Sequence, residues 1–460
     1  MSKAPSSPQS ANQDALQMEF NQGLCSFINN SPTPFHATAE LAQQLEAANF
    51  IALDESEEWS LEAGKNYYVT RNQSSLIAWT QGAAPLEEQG MHMLGAHTDS
   101  PCLKVKPQAD IYDHNSWRLG VEVYGGALLN PWFDRDLSLA GRVHYKNSAG
   151  QVAFAIIDFK CPIATIPSLA IHLDREANKN RSINPQTDLP VLLACGDKDQ
   201  HKALNNLLMD QLNHCDPKPA SILDHELFFY DTQPANIVGI NGDFIAASRL
   251  DNLLSCYVGL TTLIESAEQA KPSAQQKEPS AQQKEPSWSL LVCSDHEEVG
   301  SCSAVGAAGP FLQQTLQRLL PNTEDFVRAM SRSVLISTDN AHALHPSHAN
   351  KMDPNHSPKI NGGPVIKVNA NQRYASNSET QAMFRSICDD AQVPVQTFVV
   401  RSDMGCGSTI GPITAAELGV KTLDVGMPTY GMHSIRELSG SRDPLWLKTA
   451  LLRFLSRTSQ

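Results

Sequence analysis

The segment Ser294-Asp295-His296-Glu297-Glu298-Val299-Gly300 places two adjacent carboxylates after an apolar run, Trp288 to Cys293, that reads as a buried strand. Consecutive side chains at a strand's end point in different directions, so one carboxylate can bind a metal while its neighbour faces a reacting water. A glutamate beside a metal-activated water is the general base of many hydrolases. Two surface glutamates on a loop would carry the same letters, so the other candidates decide.

His97-Thr98-Asp99 closes a second apolar run, Met91 to Ala96. The period of two puts His97 and Asp99 on one face, as a ligand and its orienter, with Asp99 accepting the second ring proton. Asp251, in Ser248-Arg249-Leu250-Asp251-Asn252, stands where a helix starts and reads equally as an N-cap. Asp339 follows the run Ser333 to Ser337, and His433 lies in Tyr430-Gly431-Met432-His433-Ser434. Each is weak alone, Asp339 being equally a turn residue. Yet His97, Glu298, Asp339 and His433 all stand just after an expected strand, and ligands of open α/β sheets bind outside the carboxyl ends of strands.

The ligand set is therefore His97, Asp251, Glu298, Asp339 and His433. Nitrogen and oxygen donors without sulfur suit zinc, or else manganese or cobalt. The set is too large for one tetrahedral zinc and fits two divalent cations that share a carboxylate and a water. The charges then nearly cancel, about +4 against about −4. Glu297 stays unligated as the base and returns the proton to the leaving amine. The single-zinc H-E-x-x-H pattern is excluded, because Gly300 stands where its second His belongs. The glycine-rich Asp403-Met404-Gly405-Cys406-Gly407-Ser408 reads as a turn before a helix.

The elements that must hold these residues alternate. Phe20, Leu24, Phe27 and Ile28 mark a first helix, Ser31-Pro32-Thr33-Pro34 breaks it, and Leu41 and Leu45 mark a second. Ser75 to Trp79 and Met91 to Ala96 read as strands. Short strands divided by Gly and Asn turns follow, at 121–124, 142–145 and 152–158, with one helical piece near Leu204 to Leu212. Beyond them a helix over Leu253 to Ile264 precedes strands at 288–293, 333–337, 364–368, 395–400 and 422–425, and a last helix covers Trp446 to Leu455. The fold class is α/β: a catalytic unit with a central mixed sheet flanked by helices, in two parts (18–104 and 236–460), with a β-rich unit inserted at 105–235. A tandem Pro-Ser-Ala-Gln-Gln-Lys-Glu repeat makes 271–287 a solvated, mobile loop.

At 460 residues, 41% hydrophobic and 18% charged, the chain suits a soluble globular protein larger than one typical domain. A net charge of −14 without basic runs argues against nucleic acid and anionic membrane as partners. Ten cysteines without a CxxC pair, among them Cys102, Cys195, Cys256 and Cys388, read as buried free thiols of a reducing cytoplasm. Met1 to Gln17 reads as a disordered tail without the apolar core of a signal peptide.

Taken together the motifs resemble the aspartyl aminopeptidase family of cocatalytic two-metal exopeptidases. The matching stretches are Gly95 to Pro101, Ser248 to Asn252, Asp295 to Ser301, Asp339 to His342, Gly363 to Asn369 with Gln372 to Ala375, and Tyr430 to His433. They run in order from about Phe20 to Phe454, and the repeat is the chief departure. The resemblance implies that Asp251 is the bridging ligand, Glu297 the base, and His342, Lys367 and Tyr374 substrate-contacting residues. It implies that His172 enters a neighbouring subunit's active site, that the β-rich unit dimerises, and that the assembly is dodecameric. From the residues alone, Lys367 reads equally as a surface lysine and His172 as a packed histidine. The expected activity is release of an N-terminal Asp or Glu from peptides with a free amine. A metal-dependent carboxypeptidase or deacylase, or a non-catalytic assembly or cargo-binding protein with a relic site, are the rivals.

Overall fold

The computed structural model describes residues 8–196, 198–201, 203–270 and 286–457, with side chains from residue 13 onward. Most of the expected repeat loop, 271–285, lies outside them. The central sheet has nine strands, in the order Phe50–Leu53, Asn66–Arg71, Ser75–Thr80, Trp288–Ser294, Met91–His97, Val334–Thr338, Lys421–Gly426, Val365–Val368, Gln396–Val399. The middle four are mutually parallel and in register, with Ser294 beside His97 and Ser337 beside Gly95. Their carboxyl ends thus share one edge. The outer pairings of Ser75–Thr80 and Val365–Val368 onto this group are antiparallel, so the sheet is mixed.

Alternation along these strands feeds two cores. Leu291, Cys293, Leu94, Ala96 and Ile336 pack under the helices Pro8–Asn30, Pro34–Ala47, Leu250–Gln269 and Asp443–Leu455. Leu290, Val292, Met91, Met93 and Leu335 pack on the other face, under Phe311–Leu319 and Thr323–Arg332. Burial on both faces is why these strands read as unbroken apolar runs.

A second, six-stranded antiparallel sheet is built from residues 102–231, in the order Val152–Asp158, Leu137–Asn147, Pro219–Asp231, Cys102–Asp113, Ser116–Tyr124, Val191–Cys195, with its own core. A third sheet, of five strands, appears in no reading of the sequence: Asn236–Val238, Phe244–Ala247, Glu437–Gly440, Pro428–Tyr430, Ala341–His342. Its strands have two to four residues, too short for a period of two to register.

Three expectations need correction. The tail reading fails from Pro8 onward, where a helix begins; Asn21 on it donates to the Ser441 carbonyl and ties it down. Cys195 is exposed and Cys102 only partly buried, although Cys256 and Cys388 are buried and all ten thiols are free. Cys195 ends a strand on the sheet's edge, where apolar neighbours in sequence give no cover. The 105–235 segment holds short helices at Ala177–Asn180 and Pro185–Asp188 besides Leu204–Gln211. Among the described residues, no helix is long and apolar enough to cross a membrane.

Candidate metal centre

Three of the five expected ligands leave neighbouring strands of the central sheet. His97 ends its own strand, Asp339 follows Val334–Thr338 on one side, and Glu298 follows Trp288–Ser294 on the other. The other two come from the third sheet. Asp251 follows Phe244–Ala247, and His433 follows Pro428–Tyr430 rather than the central-sheet strand Lys421–Gly426. The backbone turns sharply to deliver them: Arg249, His296 and His433 all have positive φ, of 60°, 64° and 68°. Left-handed backbone at non-glycine residues is costly and gathers at functional sites. Asp251 caps no helix: the non-helical Asn252 separates it from the regular helix, and its Oδ1 has no hydrogen-bond partner.

The five side chains meet. Asp251 Oδ1 lies 3.4 Å from His97 Nε2, and Asp339 Oδ1 lies 3.6 Å from the same nitrogen. The other oxygen of Asp251, Oδ2, lies 3.7 Å from His433 Nε2, which is 3.4 Å from Glu298 Oε2. One carboxylate thus faces two donor groups, an inner one (His97, Asp339) and an outer one (His433, Glu298). Donors about 2.0–2.1 Å from a tetrahedral cation stand roughly 3.3 Å apart, close to these separations. Glu297 reaches the inner group, its carboxylate clustering with His97 and Glu298.

Charge and hydrogen bonding test whether cations fit. Asp251 Oδ1 and Glu298 Oε1 are buried without a hydrogen-bond partner, an expensive arrangement unless a cation is the partner. Burial, and then Asp251, push the Glu298 carboxyl well above the usual range. Burial and Asp339 raise Asp251, against the pull of His97 and His433. Burial carries Glu297 up to about 8, with His97 pulling it down and Asp339, Asp251 and Asp99 pushing it up. Burial opposes a proton on His97, yet the Asp251, Asp339 and Asp99 carboxylates around its ring hold its pKa well above the usual value. A site that crowds carboxylates and favours a cationic imidazole is one whose electrostatics call for positive charge.

Asp99 is fully buried and organises the inner side. Its Oδ1 lies 3.3 Å from His97 Nδ1 and accepts the Glu297 amide at 3.1 Å. Its Oδ2 accepts the Glu298 amide at 3.1 Å and the Tyr124 hydroxyl at 2.8 Å. Tyr124 and Gly126, at the end of the second sheet's strand Ser116–Tyr124, had no place in the sequence reading; Gly126 offers its carbonyl to His433 Nδ1 at 3.2 Å. Glu437 was also missed. Its carboxylate accepts backbone N–H groups of both Asp251 and His433. Its position four residues after His433 was the only signal, and a faint one.

Lys367 is no surface residue: it is 2% exposed and donates to Asp339 Oδ2 and the Asn340 carbonyl, both at 3.0 Å. Tyr374 is buried, with its ring centroid 5.1 Å from the ammonium. His342 is exposed, its ring edge-on to Phe398. His172 is exposed in a surface turn, between the exposed Ile171 and Leu173, and takes no part in the cluster of its own chain. The packed histidine expected from its apolar neighbours is thereby corrected, because those neighbours are themselves uncovered. Of the segment Asp403–Ser408, Asp403 lies in a turn, Met404 in a bend, and Gly405 to Ser408 are irregular chain ahead of the helix Ile410–Leu418.

A mixed, helix-covered sheet with nitrogen and carboxylate donors gathered at the ends of its parallel strands defines a metal-dependent hydrolase. Comparison with known proteins narrows this. Residues 27–455 match the aminopeptidase I zinc metalloprotease (M18) family, and the chain belongs to that family, whose members hydrolyse peptides. It is 57% identical over 442 residues to a "Probable M18 family aminopeptidase 2" of Stutzerimonas stutzeri, covering 96% of this chain and 99% of the relative. Among solved structures it resembles Ape4 in its complex with Nbr1, at 36% identity and a TM-score of 0.89, covering 96% of this chain and 86% of that one. It also resembles mApe1 of Chaetomium thermophilum, at 30% identity and a TM-score of 0.80, covering 96% and 97%.

Proposed function

We propose that this chain is a two-cation aminopeptidase that removes N-terminal Asp or Glu from peptides with a free amine. The observation that carries the reading is Asp251, whose two oxygens face two separate donor groups. Cations held between His97, Asp339 and Asp251, and between Asp251, Glu298 and His433, would acidify a water and polarise the scissile carbonyl. Zinc suits these donors, with manganese and cobalt as alternatives. Glu297, beside the inner group, takes the proton of the attacking water and hands it to the leaving amine. Asp99 holds the backbone of Glu297 and Glu298 and the ring of His97, so base and ligands keep one geometry.

Lys367 supports the acidic preference. Two of its three N–H donors go to Asp339 and Asn340, which leaves one for a substrate carboxylate. Beside it, Tyr374, Phe398, Ala341 and Val365 form an apolar wall. His342 and Tyr374 would contact the substrate. His172 would act in the site of a second copy, with 105–235 as the dimerising unit between catalytic parts 18–104 and 236–460. A dodecamer is reported for mApe1 of yeast, 26% identical, and a dimer-based homo-oligomer in the cytoplasm is the state proposed here.

The relatives are named aminopeptidases, which favours the amino end over the carboxypeptidase and deacylase readings, and an enzyme over a relic scaffold. The test is a panel of peptides differing at the first residue, each free or acetylated, assayed after cation removal and re-addition. Free Asp and Glu peptides should be cut fastest, acetylated ones not at all, and nothing before cations return. Equal rates on acetylated peptides would refute the amino-end reading.

A further inference from the structure

Glu437 is 2% exposed and lies against the centre, in no ion pair among the described residues. Its partners are backbone amides: Oε2 accepts the Asp251 N–H at 2.9 Å, Oε1 accepts the His433 N–H at 2.8 Å, and Leu250 adds a third N–H. Topology explains the reach. Glu437 opens the strand Glu437–Gly440, which runs between Phe244–Ala247 and Pro428–Tyr430 and antiparallel to both. Its first residue therefore stands where those two strands end, and there the loops bearing Asp251 and His433 depart. Burying an anion next to Asp251 is unfavourable unless donors meet it. Here the donors are the backbones of two ligands that approach from different strands. The outer ligand His433 has a side chain 31% exposed, against 1% for His97, so packing alone holds it less.

We propose that Glu437 is a positioning residue of the metal centre: its carboxylate clasps the Asp251 and His433 backbones and fixes the outer group's spacing, so that this group retains its cation. The inference rests on the two-cation reading. In Glu437→Gln the amide oxygen can accept one N–H while the amide nitrogen faces the other, so half of the clasp is lost with little change of volume. Glu437→Ala removes it all.

The test counts zinc per chain by mass spectrometry of the full-length protein across a series of buffered free-zinc levels, with the thermal midpoint of the metal-free protein as a control. The expected result is two zinc ions in the unaltered protein. Glu437→Gln should bind one as tightly as before and the other about 10- to 100-fold more weakly, the usual cost of losing an outer-shell partner. Its kcat should recover with excess zinc while KM stays put. Two equally tight ions in Glu437→Gln and Glu437→Ala would overturn the proposal and spare the two-cation reading. So would loss of both ions in step with a fallen metal-free midpoint, which marks a structural role only. A single ion in the unaltered protein would bring down the reading and the proposal with it.

Discussion

Glu297 and Glu298 are neighbours in sequence whose surroundings give them different tasks. Glu298 Oε2 faces His433, while Glu297 turns to the inner group, and both amides are pinned on the one carboxylate of Asp99. Glu297→Gln should therefore keep its cations and lose roughly 100- to 10,000-fold in kcat, the usual worth of a positioned base. Zinc content and peptide turnover measured on one sample check this, and turnover near the original level would refute the assignment. Lys367 carries a second prediction. It neutralises Asp339, and under the proposed acidic preference its remaining N–H would meet the substrate carboxylate, so Lys367→Met should lower all rates yet lower kcat/KM for Asp and Glu peptides about tenfold further, a lost charged hydrogen bond. Equal losses on acidic and neutral peptides at saturating zinc would leave it a structural counter-ion. His97, Glu298 and Asp339 could be proposed together as ligands because each follows an apolar run that forms a strand of the central sheet, although H-x-D or E-E alone is a weak signal. Lys367's burial was not legible, since a lysine in a short strand reads as solvated until the partner Asp339 is known to lie beside it.

Among the elements, the long strands gave themselves away and the short ones did not. Met91–His97 is buried at all seven positions and Trp288–Ser294 at every position but Trp288, long enough for an apolar run to be read. Phe244–Ala247, Pro428–Tyr430 and Glu437–Gly440 have three or four residues, so the third sheet, which delivers Asp251 and His433, could not be read. The second sheet's part in the centre was hidden for another reason: it is a matter of contact across sheets rather than of pattern. Gly125 shows that contact. It has φ of +69°, and a Cβ placed there would stand 3.1 Å from Glu298 Cβ and 3.3 Å from its carbonyl oxygen. Gly125→Ala should cost about 1–2 kcal/mol from left-handed backbone, and by shifting Glu298 should weaken zinc retention about tenfold. A melting curve with a zinc titration separates the two effects. Unchanged zinc affinity would mean that the second sheet does not brace the centre.

The whole molecule leaves apolar surface uncovered: Leu169, Ile171 and Leu173 are 60%, 47% and 75% exposed, and Val152 and Phe154 on the edge strand are 71% and 45% exposed. Such exposure on the second sheet and its loop favours association with another copy, and His172 lies in the middle of that loop. If each copy lends His172 to its neighbour, activity needs residues from two chains, and two defects on different chains can compensate. Glu297→Gln chains have no base but carry an intact His172; His172→Ala chains have a base but lend nothing. Each variant alone should be nearly inactive. Mixed after dissociation and reassembly in equal amounts, they should pair at random. Half of the pairs would then be mixed, each with one complete site in two, so activity should return to about a quarter of the unaltered level under isologous pairing. Light scattering would establish that the mixture is assembled, and Leu173→Asp in both chains should abolish both the assembly and the recovery. An assembled mixture no more active than its parts would show that His172 serves no neighbouring site.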